Sequence, residues 1–291
     1  MFISGFTIIK NAIINDYPIM EAITSILPLV DEMIVLVGDS SDNTRKLIES
    51  IASDKIKIFD SIWNQQLKKG GEVLADETNK AFDLIDSKST WAFYIQADEA
   101  VHEKYHPAIL EACNKYKEDV RVEGLLFKYL HFYGNYDYVG DSRKWYNKEI
   151  RIIRNDKSIN AYKDAQGFRK GKTKLQVKPI DACIYHYGWV KSPVQMKKKM
   201  QEVRQYWHED SEGYRPELHA NEVFNFDDYD SLSKFVGTHP EVLGERIKNQ
   251  NWQVEIDITK KRFSFKNRIL YWFEKKTGLR LFDFKNYKII Y

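Results

Sequence analysis

Residues 91–103, WAFYIQADEAVHE, pass from five apolar side chains straight into a cluster of acids. An unpaired carboxylate at the tip of a buried strand is costly. Asp98 and Glu99 should therefore sit where the strand turns into water, or where something cationic meets them. A hard divalent cation takes oxygen ligands and keeps waters and substrate phosphates as the rest of its shell. Asp98 alone would suffice as a carboxylate ligand if a nucleotide diphosphate supplied further oxygens. Gln96 and Glu99 would reach the cation through water, hydrogen-bond a sugar, or simply hold the loop. A second candidate is His186 in IYHYGWVKSP, near the end of an apolar strand. A neutral imidazole suits manganese-like ions; a satisfied structural histidine is the alternative. The third is GDSSDNT, where Asp39 directly follows an apolar run and could accept from a nucleobase or ribose, or only close a turn.

These residues need elements to position them. FTIIK (6–10), residues 33–37, IKIFDS (56–61) and residues 91–96 read as strands. Between them, NDYPIMEAITSILPLV has helical apolar spacing, with Asp16 as its expected N-cap and Pro18 in the first turn. TRKLIESIAS, capped by Asp42 or Asn43, and residues 71–86 are the next helices. Strands alternating with such helices predict parallel β-α-β units. Beyond residue 120, strands are expected at 124–133, 149–154 and 182–190, around the aromatic loop YGNYDYVGDSRKWYN. Tyr136, Tyr138, Trp145 and Tyr146 of that loop would stack on sugars or pack the loop. Arg151 and Arg154 alternate along EIRIIRN and are expected on a solvent face, with phosphate contact as the other reading. Residues 156–179 read as polar and irregular. A helix starts at Pro193 with Ser192 as cap, and the last hundred residues read as mainly helical.

The chain has 291 residues, 43% hydrophobic and 30% charged, an ordinary globular composition. Cys113 and Cys183 read as two buried thiols in a reducing compartment. The N-terminus lacks a signal-peptide pattern and no apolar run could span a bilayer, so a cytoplasmic protein is expected. Residues 260–291 hold ten Lys/Arg against two acids, a net +8 that leaves residues 1–259 at −5. With nine aromatics, this tail would either pack on the domain or meet an anionic membrane surface. An acidic main domain without a basic recognition motif argues against nucleic acid. G-x-G-x-x-G and P-loop patterns are absent, which argues against dinucleotide cofactors and ATPase chemistry.

A strand ending in IIKN, then GDSSDNT, then QADE and a late histidine, in this order, resemble family 2 glycosyltransferases of the GT-A fold across residues 4–190. The resemblance implies an α/β GT-A (nucleotide-diphospho-sugar transferase) fold with a central, mainly parallel sheet. Residues 1–190 would be the transferase domain, split into a nucleotide-binding half (1–105) and an acceptor half (106–190), with a helical extension at 191–291. It implies metal-dependent, inverting transfer from a nucleotide sugar, UDP-sugars foremost, to a glycan or lipid-linked acceptor. Ile9, Lys10, Asn11, Asp39, Gln96, Ala97, Asp98 and Glu99 fall on donor-binding positions, with Asp39 on the base. The Asp-x-Asp motif maps onto Gln96-Ala97-Asp98, so Asp98 and His186 would hold Mn2+ or Mg2+. Gln96 departs from the motif's first aspartate. Asp76, in LADETN, stands where the family has a basic residue; Lys10, Lys68 or Lys69 would supply that charge. The family's catalytic base falls on Asp164 or Asp141, with Asp164 preferred because its polar segment leads to the strand of His186. The alternatives are a nucleotidyltransferase, or a non-catalytic nucleotide- or glycan-binding protein. Oligomeric state is left open.

Overall fold

A computed structural model describes residues 1–67, 69–204, 206 and 223–291. Its centre is built by continuous apolar runs. Strands β1 (Ile3–Ile9) and β2 (Glu32–Gly38) are buried along their whole length and pair in parallel. Such runs mark strands covered on both faces. β3 (Ile56–Ser61) adds in parallel as a half-exposed edge, and β4 (Trp91–Tyr94) adds in parallel on the other side of β1.

The connecting helices lie on both faces. α1 (Ile19–Ile26) and α2 (Thr44–Glu49) share one apolar cluster, whereas α3 (Glu72–Asp83) contributes Val73, Ala81 and Phe82 to the other. α1 carries no side-chain cap. Asp16, the expected cap, has a φ of 50° and instead pairs with Arg246 at 2.6 Å. Asp42 fixes the loop after β1 as well as α2, accepting from the amides of Ile13, Ile14 and Thr44.

The second half adds β5 (Glu99–Val101), α4 (His106–Tyr116), β6 (Gly124–Tyr133), β7 (Tyr138–Gly140) and β8 (Lys148–Arg154). Residues 156–179, expected to be irregular, contain a small antiparallel sheet of β9 (Ile159–Tyr162), β10 (Gly167–Lys170) and β11 (Thr173–Lys174). Its strands are too short for a clear periodicity, yet Ile159 and Phe168 reach the core. β12 (Gln176–Trp189) then runs parallel to β6 and antiparallel to β5. Ser192 caps α5 (Pro193–Arg204) as expected, its Oγ accepting from the Gln195 amide at 3.2 Å.

The C-terminal region contains α6 (Gly244–Lys248) and α7 (Phe265–Thr277), but it also returns to the sheet through β13 (Leu232–Lys234) on β7 and β14 (Lys288–Ile289) on β12. The main sheet has the order β13-β7-β6-β8-β4-β1-β2-β3 with β12 beside β6. Among its described strands only β5, β7 and β8 run against the common direction, so the fold is α/β with a mainly parallel sheet. Neither arginine of EIRIIRN lies on a solvent face. Arg154 donates to the carbonyls of Tyr116, Lys117, Asp119 and Val122 at the end of α4. Arg151 is fully buried.

Candidate functional site

The carboxyl ends of β1 and β4 open into a cavity of about 420 Å³, walled by the β9–β10 turn, β12 and α5. Pairing of β5 with β12 sets Glu99 opposite His186, and the Tyr187 amide donates to the Asp98 carbonyl at 2.7 Å. Asp98 Oδ1 consequently lies 3.7 Å from His186 Nε2. Gly188 keeps this corner open: a side-chain carbon there would fall 2.6 Å from Asp98 Oδ2 and 2.7 Å from His186 Nε2. From α5, Lys199 Nζ reaches Asp98 Oδ2 at 3.0 Å and the Gly188 carbonyl at 2.9 Å.

Burial alone would push the Asp98 carboxyl up; the Lys199 ammonium, helped by His186 and Lys191, holds it well below the usual carboxylate range. Burial lowers the His186 pKa against the pull of Asp98, which favours the neutral, ligand-competent imidazole. Burial and the nearby Lys199 bring Lys191 down to about 7. In the same lining, burial raises the Asp164 pKa from its ordinary value against the pull of Lys163 and Arg151, and no ion pair engages it among the described residues.

Beneath the cavity, Arg151 organises the floor. It is paired with Glu99 at 2.6 Å, and both side chains are 0% exposed. The Tyr129 hydroxyl donates to the same carboxylate. Arg151 also donates to the Gln166 carbonyl at 3.0 Å and to Gln96 Oε1 at 3.4 Å, while Gln96 Nε2 donates to the Ala165 carbonyl at 3.4 Å. These bonds tie the Asp98 turn to the Asp164 turn. Lys163 and Ala165, on either side of Asp164, have φ of 56° and 59°, a left-handed conformation unfavourable for residues with a β-carbon.

Of the residues expected at the site, Ile9, Lys10, Gln96, Ala97, Asp98, Asp164 and His186 line this cavity. Four do not. Asp141 is corrected most plainly: it is bound by Lys261, Lys275 and Tyr271 in a separate cavity beside α7. Glu99 is sealed against Arg151, so of its expected roles it has that of holding the loop. Asn11 braces the rim, accepting from the Ser41 amide at 2.7 Å and donating to Glu202. Asp39 sits just outside the lining, where its Oδ1 accepts from Lys10 at 2.8 Å and from the Trp63 amide at 3.2 Å. Lys10 therefore borders the cavity already paired, Asp76 is paired with Lys80, and Lys68 lies outside the described residues. In the aromatic loop, Tyr146 faces the cavity; Tyr136 and Trp145 pack elsewhere.

Sequence reading missed Trp63, Lys199 and Glu202, and set Arg151 on a solvent face. The signal for Trp63 is the pair Gly38-Asp39: any side chain at Gly38 would collide with the indole lying over the end of β2. The donor set at Asp98 and His186 fits a divalent cation. A carboxylate oxygen and the imidazole Nε2 converge, and Gly188 clears the space beside them. Among the described residues no third acidic, histidine or thiol ligand joins them.

No protein-family model and no curated protein matches the chain. Among solved structures it is similar to S. aureus TarS 1-349 in complex with UDP-GlcNAc, at 18% identity over 46% of this chain and 36% of that one, with a TM-score of 0.34. A 4-diphosphocytidyl-2C-methyl-D-erythritol synthase from Anaerococcus prevotii matches at 10% identity over 70% of this chain and 96% of that one, TM-score 0.37. Glucosyl-3-phosphoglycerate synthase from Mycobacterium tuberculosis, in complex with Mn2+, UDP and phosphoglyceric acid, matches at 22% identity over 45% of this chain and 43% of that one, TM-score 0.30. The chain thus spans less than half of that TarS structure, and all three likenesses are partial.

Proposed function

We propose that the protein is a metal-dependent, inverting glycosyltransferase of the family 2, GT-A type, moving a sugar from a nucleotide sugar to a glycan or lipid-linked acceptor. The donor expected first is a UDP-sugar. One observation carries the reading: Asp98, His186 and Asp164, far apart along the chain, line one cavity at the carboxyl ends of parallel strands. Asp98 and His186 hold Mn2+ or Mg2+, which when bound stabilises the charge developing on the departing diphosphate. Asp164 accepts the proton of the acceptor hydroxyl as its oxygen bonds to the sugar's anomeric carbon. The bond to the diphosphate breaks and its electron pair leaves with the phosphate oxygen. Lys10, Trp63 and Asp39 form the nucleotide end of the site. Asp39 accepts from base or ribose, and the indole offers an apolar face. Residues 260–291 touch an anionic membrane surface near a lipid-linked acceptor.

Product analysis over a panel of UDP-, GDP- and dTDP-sugars tests the reading. The expected product is nucleoside diphosphate, with turnover falling at least about 100-fold in Asp98→Ala. Pyrophosphate would assign a nucleotidyltransferase instead, and binding without turnover a non-catalytic protein.

A further inference from the structure

The two oxygens of Asp98 face different partners. Oδ1 looks toward His186 Nε2 at 3.7 Å, and Oδ2 is taken by the Lys199 ammonium at 3.0 Å. Lys199 is only 13% exposed, its Nζ also donates to the Gly188 carbonyl, and it lies 5.0 Å from the ring of Tyr17. It therefore stands in the corner that Gly188 keeps clear. Nearby, Lys191 is fully buried and donates to the Asp16 carbonyl, which leaves Lys199 as the ammonium that meets the carboxylate directly. A divalent cation entering beside Asp98 would meet this ammonium at close range in a poorly solvated place, where like charges repel strongly. Lys199 is carried on a flexible four-carbon stem, free to redirect its charge once another anion is available.

We propose that Lys199 is a tethered counter-ion that occupies Asp98 in the metal-free protein, yields it to the divalent cation, and then binds the diphosphate of the donor. This rests on the nucleotide-sugar reading. Its consequence is coupling. Without a nucleotide, the displaced ammonium has no anion to go to, and the metal binds weakly. With a nucleoside diphosphate present, metal and ammonium each have a partner. Each ligand then raises the affinity for the other by the same factor.

The experiment is titration of the full chain with Mn2+, following free Mn2+ by electron paramagnetic resonance, with and without UDP. In the wild type, UDP should tighten Mn2+ binding at least about tenfold. Lys199→Met, neutral and similar in length, should bind Mn2+ alone more tightly, bind UDP more weakly, and show reduced coupling. Lys199→Arg should retain coupling. If wild type binds both ligands without coupling, or if Lys199→Met leaves affinities and coupling unchanged, the counter-ion role is overturned while the transferase reading stands. If wild type binds neither UDP nor Mn2+, both fall. Direct metal–diphosphate contact by itself couples the two ligands in the wild type, so the difference between wild type and Lys199→Met decides the role of Lys199, with Lys199→Gln read in its place if the Met variant does not fold.

Discussion

At the scale of single residues, environment decides more than identity. Asp164 and Asp98 are both aspartates, but Asp98 faces an ammonium and stays ionised, while at Asp164 burial outweighs the pull of Lys163 and Arg151 and keeps the pKa raised. The proposed transfer needs such a pairing, one carboxylate held as an anion and one with raised proton affinity. Because Asp164 must be ionised to accept a proton, kcat/KM should rise with pH through an apparent pKa higher than that of an ordinary aspartate. Asp164→Asn should lower kcat by about 100- to 10,000-fold, abolish that acid limb and leave UDP binding intact. A pH–rate profile and a UDP titration check both; an unchanged limb in the variant would remove Asp164 from the mechanism. The place of Asp98 in the cavity was legible because an acid cluster after an apolar strand is conspicuous, and that of His186 because a histidine stands near the end of another apolar strand. Lys199 was not, since Lys197, Lys198 and Lys199 are one letter repeated. Only the phase of α5, fixed by Met196 buried against the domain and Val203 at the cavity, turns Lys199 inward.

At the scale of elements, the parallel half of the sheet was readable because strands covered on both faces leave unbroken apolar runs. The β9–β10 turn was not, since its strands have four residues each. What shapes it is Arg151, whose apolar neighbours in EIRIIRN gave no hint of a buried charge. An arginine and a glutamate sealed together are held by each other, and removing one strands the other. Arg151→Met should therefore lower unfolding free energy by about 3–5 kcal/mol, with Arg151→Met/Glu99→Leu recovering a substantial part. Urea unfolding measures this directly. A single variant within about 0.5 kcal/mol of wild type would show that the pair does not hold the floor.

At the scale of the whole molecule, charge is distributed unevenly. The tail is anchored by Arg143 on Glu274, by Lys275 on Asp141 and by β14 on β12, which matches the expectation that it packs on the domain. Yet Phe265 is 80%, Trp272 61% and Phe282 87% exposed among its lysines and arginines. That combination suits an anionic bilayer surface. Full-length protein should co-sediment with phosphatidylglycerol vesicles at low salt and release as salt rises. Replacing these three side chains with serine should weaken the binding; undiminished binding would remove the membrane contact. None of the described helices is long and apolar enough to cross a membrane. In the proposed transferase one cation, gripped by Asp98 and His186, meets a donor's two phosphates in the cavity between β4, β12 and α5. Anomalous diffraction from crystals grown with Mn2+ and UDP locates that cation. The expected result is a manganese peak bonded to both Asp98 and His186 Nε2 and to the diphosphate; UDP bound elsewhere, or manganese bound away from these two side chains, would overturn the proposal.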